Sequence, residues 1–391
     1  MNAIWQPRTR HIIIKMIQAT LAEMQASRFL IGLLRSEHHK GLTALNEISQ
    51  SVHQGRDIAD TVPWKTLANL AQAEGLEAFV GRVSIEEGWA PAMPGEVLDY
   101  LSERYLLNRI LTSECILEFQ ALSQKFIQCG ILAIPIKGLA LIQTLYRETG
   151  DRSFNDMDLL VKPDCIDLAA SILVDSGYKQ DPYRSRFGVE PARFLHHHLP
   201  PFRKGRITIE LHYKMLPGDS EKFTRSFILS AQENRGPDYG FFPEKYHHAV
   251  FLAAHLDKHA SNGQNQLRLI RDLACLLGND ESNWNKCSEL SGEFNLDQAF
   301  TKVRAVYRDI YWSSKYAFPF HVQKNQVSQR GHGWLRSLKS LPGWHLKILC
   351  IADFLFPSVQ YVRNHYPRWT GIRLPWWYVF RIYRGFRWLI S

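Results

Sequence analysis

The sequence predicts an α+β fold, with a small mixed β-sheet set between an N-terminal and a C-terminal helical region. Three observations predict it. Two short apolar runs, Ile131–Ile136 and the one carrying Asp156–Val161, flank a Lys137-Gly138 turn and a short helical stretch. Arg206–Met215 alternates apolar and polar residues with the period of a half-buried strand. The chain on either side carries apolar residues at helical spacing. The expected divisions are a helical region over 1–128, a sheet core over 129–216 and a second helical region over 217–391.

In chain order, His11–Leu34 has helical spacing (Ile13, Ile14, Ile17, Leu21, Met24), and the polar Ser36–Asp60 reads as an exposed helix or linker. Trp64–Gly81 reads as one helix stopped by glycine. Pro94–Cys129 is a single long helical pattern ended by Gly130. Leu139–Tyr146 follows as a short helix, and Asp164–Ser176 as another, closed by Gly177. Tyr178–Tyr183 suits an edge strand, and Arg184–Lys204 is a loop rich in Arg, His and Pro. In the strand Arg206–Met215, Ile207, Ile209 and Leu211 take one face, while Thr208, Glu210 and His212 take the other. Helices are then expected at Glu244–His259, Gln266–Leu277 and Asp297–Tyr316, with a polar loop at Gln323–Gly333 and more helix from Leu346.

Composition narrows the classes. At 391 residues the chain is long enough for a large core and two or three domains. A net charge of +9 favours anionic partners: nucleotide, nucleic acid or a membrane surface. The six cysteines form no Cys-x-x-Cys pair, which argues against a zinc framework or a disulfide scaffold. The first residues lack a signal-peptide pattern, and no uncharged apolar run approaches the roughly 20 residues that span a bilayer. A cytoplasmic protein is expected.

The chemistry concentrates in Ile131–Lys162. Alternation along a strand points Asp156 and Asp158 the same way and Met157 and Leu159 the other. Two carboxylates on one face repel unless a cation lies between them, and magnesium favours such oxygen ligands. The Lys137-Gly138 turn opens a helix, where free backbone N–H groups suit phosphate. Gly138 allows close backbone approach, Lys137 supplies a cation, and Arg152 suits either phosphate or Asp156.

The series Lys137-Gly138, Arg152, Asp156-Met157-Asp158, Leu159-Leu160-Val161 resembles the polymerase-beta-type nucleotidyltransferase superfamily. It is most similar to a bacterial family of uncharacterised nucleotidyltransferases that carries Lys-Gly where most relatives have Gly-Ser. Ile209-Glu210-Leu211-His212 and the His255, His259, Arg268, Asp272 series also fit, and the resemblance covers roughly residues 60 to 390. The resemblance implies that Asp156 and Asp158 hold magnesium and triphosphate, and that Glu210 completes a second metal site and helps activate the acceptor hydroxyl. Two Mg2+ ions, or Mn2+, are the implied cofactors. Lys137, Gly138, Arg152 and His212 are the implied nucleotide contacts. The implied reaction moves a nucleoside monophosphate from a nucleoside triphosphate to an acceptor hydroxyl on a small molecule or sugar, with protein or RNA as other acceptors.

Leu139 stands where the superfamily's phosphate-binding serine would be, which leaves a non-catalytic nucleotide-binding or regulatory protein as an alternative. The basic charge leaves a nucleic-acid-binding protein as another. Three consecutive histidines, His196–His198, cannot all face one ion, and His255 and His259 suit a pocket wall better than zinc. The aromatic and basic end, Ile372–Ser391, suits packing on the core, contact with a membrane interface, or stacking on nucleic acid.

Overall fold

The computed structural model describes residues 22–23, 25–34, 62–183, 196–216, 221–234, 240–260, 267–312, 343–369 and 371–390. The expectations for Ser36–Asp60, for the start of His11–Leu34, for 184–195 and for Gln323–Gly333 lie outside these residues. The described residues form a five-stranded mixed sheet with helices before and after it, the predicted α+β arrangement.

Residues 25–34 are helical and bury Ala26, Leu30 and Leu34. The stretch expected as one helix, Trp64–Gly81, is two: α1 (Trp64–Glu74) and α2 (Glu77–Glu86). The break is Gly75, at φ 66, a left-handed conformation that favours glycine. A Cβ added on Gly75 would press against the Arg268 guanidinium, with Nη1 3.1 Å away. A contact 193 positions along the chain is what the local pattern could not show.

The long helix α3 (Gly95–Gln128) fulfils its expectation. At 1.5 Å per residue it runs about 50 Å. Its first half packs Val97 and Leu101 into one apolar core, and its second half packs Phe119, Leu122 and Phe126 into another. Between these cores lies the sheet.

The sheet order is β1-β2-β5-β4-β3, from β1 (Ile134–Ile136), β2 (Met157–Leu160), β3 (Lys179–Gln180), β4 (Phe202–Lys204) and β5 (Ile207–His212). β2 and β5 are parallel, and the other pairs are antiparallel. Met157, Leu159, Ile209 and Leu211 point into the core shared with the end of α3 and with α5 (Ile166–Asp175). The residues between them, Asp158, Glu210 and His212, therefore face the opposite side. The short helix α4 (Lys137–Thr144) joins β1 to the segment before β2.

Four details differ from expectation. Asp156 precedes β2 rather than lying inside it. β4 occupies the end of the stretch read as a loop, because its alternation lasts only three residues. After β5 and α6 (Glu221–Ser230), a hairpin of β6 (Gln232–Asn234) and β7 (Gly240–Phe242) appears, with strands too short to leave a periodic signal. The expected helices follow as α7 (Lys245–Ala260), α8 (Leu267–Leu277) and α10 (Asp297–Trp312). α9 (Glu281–Glu293) was not read from sequence, although Asp280 caps it by accepting from the Ser282 N–H. The chain then continues through α11 (Trp344–Leu355), α12 (Val359–His365) and α13 (Leu374–Ile390).

Candidate functional site

The parallel register of β2 and β5 sets Asp158 directly opposite Glu210, and Leu160 opposite His212. Glu210 and His212 sit two residues apart and so share a face. One carboxylate oxygen from each acid and one His212 ring nitrogen lie within 4.8 Å of one another. His212 Nε2 is 2.8 Å from Asp158 Oδ1 and 3.6 Å from Glu210 Oε2.

Lys137 enters from the first residue of α4. Its φ of 55 is left-handed, unusual for a residue with a Cβ, and its ammonium lies 2.6 Å from Asp158 Oδ1. Burial alone would lower the Lys137 ammonium, but Asp158, with Glu210 and Asp156 beyond it, raises it instead. Burial would likewise raise Asp158, yet Lys137 and His212 hold its carboxyl well below the usual range. Glu210 is also held low, because His212 and His198 outweigh the cost of its burial. Asp156 behaves in the opposite way. Burial and then the charges of Asp158 and Glu210 push its carboxyl up to about 6.

A wall of imidazoles surrounds these acids. The His197, His198 and His212 rings form a triangle with centroid separations of 4.7, 5.2 and 5.1 Å. An isolated bridge between His198 and His212 brings the loop alongside the end of β5. Burial pushes the His197 and His198 rings down in pKa. From α7, His255 is pushed well down by burial and next by the Lys137 charge, and its ring is 4.3 Å from that of His259. Burial thus favours the neutral form of His197, His198 and His255, which leaves each a lone pair. Lys258 also feels the site: burial, then Lys137, lowers it, while Glu210 pulls it up.

Of the residues singled out from sequence, Lys137, Asp158, Glu210 and His212 meet at one point, and Asp156 joins them through its charge. Asp156 is not one of the three side chains whose ligand atoms cluster, and His212 takes that place. Arg152 stands apart. Its guanidinium makes a bidentate pair with Asp272 (Nε–Oδ1 2.8 Å, Nη2–Oδ2 2.9 Å), and its remaining Nη1 donates to the Ser153 carbonyl at 3.3 Å. Neither phosphate nor Asp156 is needed to explain it. Gly138 is also explained from inside: an added Cβ would collide with Arg152 Nη1 and come within 2.8 Å of Phe154 Cβ. His197, His198, His255 and Lys258 were not assigned to this site from sequence. The available signals were, for His197 and His198, proximity in the chain to β5 and, for His255 and Lys258, their i, i+3 spacing on one helix.

The donor set fits a divalent ion. Two carboxylates and an imidazole converge, and Asp156, raised by burial and then by the charges of Asp158 and Glu210, stands beside them. His212 is fully buried and its Nδ1 has no hydrogen-bond partner among the described residues, so its orientation rests on what its Nε2 holds. A mixed nitrogen and oxygen set of this kind is at home with Mn2+ or Zn2+ as well as Mg2+.

No curated protein matches the chain. A family described as uncharacterised nucleotidyltransferase matches residues 60–311, which contain every strand of the sheet and every residue of the cluster. The chain belongs to that nucleotidyltransferase family.

Proposed function

We propose that the cluster on β2 and β5 is the active site of a metal-dependent enzyme that transfers a nucleoside monophosphate from a nucleoside triphosphate to an acceptor hydroxyl. The observation that carries the reading is the register placing Asp158 against Glu210, within a chain of this family. Asp158, Glu210 and His212 would hold the ion, with Asp156 available for a second. A divalent ion bound there supplies positive charge against the α-phosphate and the departing pyrophosphate. The acceptor oxygen forms the new bond to the α-phosphorus, the bond to pyrophosphate breaks, and the hydroxyl proton leaves to a carboxylate, for which Glu210 is the candidate.

Lys137 has the reach for a second role. Its ammonium now neutralises Asp158, and an arriving cation would release it toward a phosphate. Arg152 serves as a positioning residue, since it braces the segment before β2 through Asp272. A small-molecule or sugar hydroxyl remains the favoured acceptor, and protein and RNA are the others to screen.

A second reading has its own support. Lys137 already satisfies Asp158, and Leu139 follows Gly138 in place of a serine, as in a protein that binds nucleotide without turning it over. Pyrophosphate release separates the two. The enzyme reading expects release from one nucleoside triphosphate with Mg2+ or Mn2+ and an acceptor, abolished by Asp158→Ala. Nucleotide binding with no release across an acceptor screen supports the second reading instead.

A further inference from the structure

Residues 343–391, beyond the family match, hold six Arg and one Lys (Lys347) against one acid, Asp353, which is buried. This segment also presents its apolar side chains outward. On α13, Trp376, Val379, Phe380 and Tyr383 recur at i, i+3, i+4 and i+7, so they form one stripe. All four are exposed, Trp376 to 68%. The opposite side of α13 is the anchored one: Trp377 is buried against Tyr366, and the Tyr378 hydroxyl donates to the Pro357 carbonyl at 2.8 Å. The neighbouring α11 repeats the arrangement, with Trp344, Ile348 and Ile351 exposed at i, i+4 and i+7. α11 and α13 pack on each other, so the two exposed stripes lie on neighbouring helices.

Amphipathic helices normally turn such a stripe inward, and an exposed one marks a surface that is covered in use. Its chemistry selects the cover. Tryptophan and tyrosine favour the boundary between headgroups and acyl chains, and arginines beside them favour anionic headgroups. Arg363, Arg368 and Arg373, in the turns between α11 and α13 and in α12, are exposed, and Arg381 of α13 lies 5.1 Å over the Trp377 ring. No described helix is long and apolar enough to cross a membrane, so the patch suits lying on a bilayer rather than spanning it.

We propose that α11 and α13 form a peripheral docking face for an anionic lipid surface. The proposal is independent of the catalytic reading, because it uses none of the β2 and β5 cluster. The test is co-sedimentation of the full chain with phosphatidylcholine vesicles, with and without phosphatidylglycerol, read beside tryptophan fluorescence. Binding to the anionic vesicles with a blue shift is expected, weakening as salt rises. Trp376→Glu/Val379→Glu should weaken that binding by at least about tenfold, with an unchanged melting temperature. Trp344→Ser/Ile348→Ser, on the other helix, should weaken it independently. Absence of vesicle binding would overturn the proposal. So would undiminished binding by both variants, retention of single-stranded RNA without retention by vesicles, or a dimer in light scattering that shields Trp376 and ignores lipid.

Discussion

Two buried charged clusters lie within this fold, and they are built on opposite plans. In the first, Asp272 receives the Arg152 guanidinium twice and the Tyr146 hydroxyl at 2.6 Å. Beside it Arg271 lies 3.9 Å over Phe79 and 4.8 Å over Tyr146, and donates to the Asp151 carbonyl at 2.8 Å. Arg82 reaches Asp151 as well. Every charge in that knot meets an opposite charge or an aromatic face. In the second, Asp156, Asp158 and Glu210 face Lys137 and the edge of Lys258, and burial favours the neutral form of His197 and His255 beside them. The first cluster is closed within the protein. The second is closed only by something that arrives, and this difference separates a structural ion pair from a ligand site.

The largest expected effect falls on the closed cluster. Asp272→Ala leaves Arg152 buried without its partner and should cost about 3–5 kcal/mol in denaturant unfolding. A cost below that of an ordinary surface change would break the comparison.

Acid should find the weak point of the same cluster. His248 is buried, its Nε2 has no hydrogen-bond partner among the described residues, and burial brings its pKa down to about 3. The unfolded chain protonates near 6.5, so between these values it binds more protons than the native state. Stability is therefore complete above about pH 6.5 and falls as pH drops, by up to about 1.4 kcal/mol per unit. His248→Gln should flatten that limb, and an unchanged pH dependence of unfolding would contradict the assignment.

Gly138→Ala comes next. The added methyl meets Arg152 and Phe154, and overpacking of this kind costs about 1–3 kcal/mol. A variant that melts normally but loses nucleotide binding would instead restore the phosphate role to Gly138.

The smallest effect has the opposite sign. Asp156→Asn removes one of three neighbouring carboxylates and should stabilise the ion-free protein by about 1 kcal/mol. Gain in stability with loss of ion binding is the signature of a site built against its own fold. Destabilisation would place Asp156 with the structural acids.

How much of this was legible varies with distance along the chain. The strand bearing Glu210 and His212 was legible because alternation over Ile207–His212 leaves one apolar face. That Glu210 would neighbour Asp158 followed only as a possibility, since sequence does not fix which strands pair. The Asp272 partner of Arg152 was not legible because it is 120 positions away, while Asp156 is close and of the right charge. The break at Gly75 had a local signal, the glycine itself in a left-handed cap, whereas the Arg268 side chain packed against it comes from α8. His197 and His198 were judged by whether three adjacent residues could share one ion. They act as neighbours of His212 instead, which only the bridge to β5 reveals. Local period reads single elements, whereas electrostatic partners depend on how the elements are assembled.

The most direct test of the central claim is calorimetric titration of ATP, GTP, CTP and UTP, with and without Mg2+ or Mn2+, on the wild type and on Asp158→Ala/Glu210→Ala. The account predicts ion-dependent, saturable binding of a nucleotide to the wild type and its loss in the double variant. Binding that needs no ion, or that survives in the double variant, would contradict it.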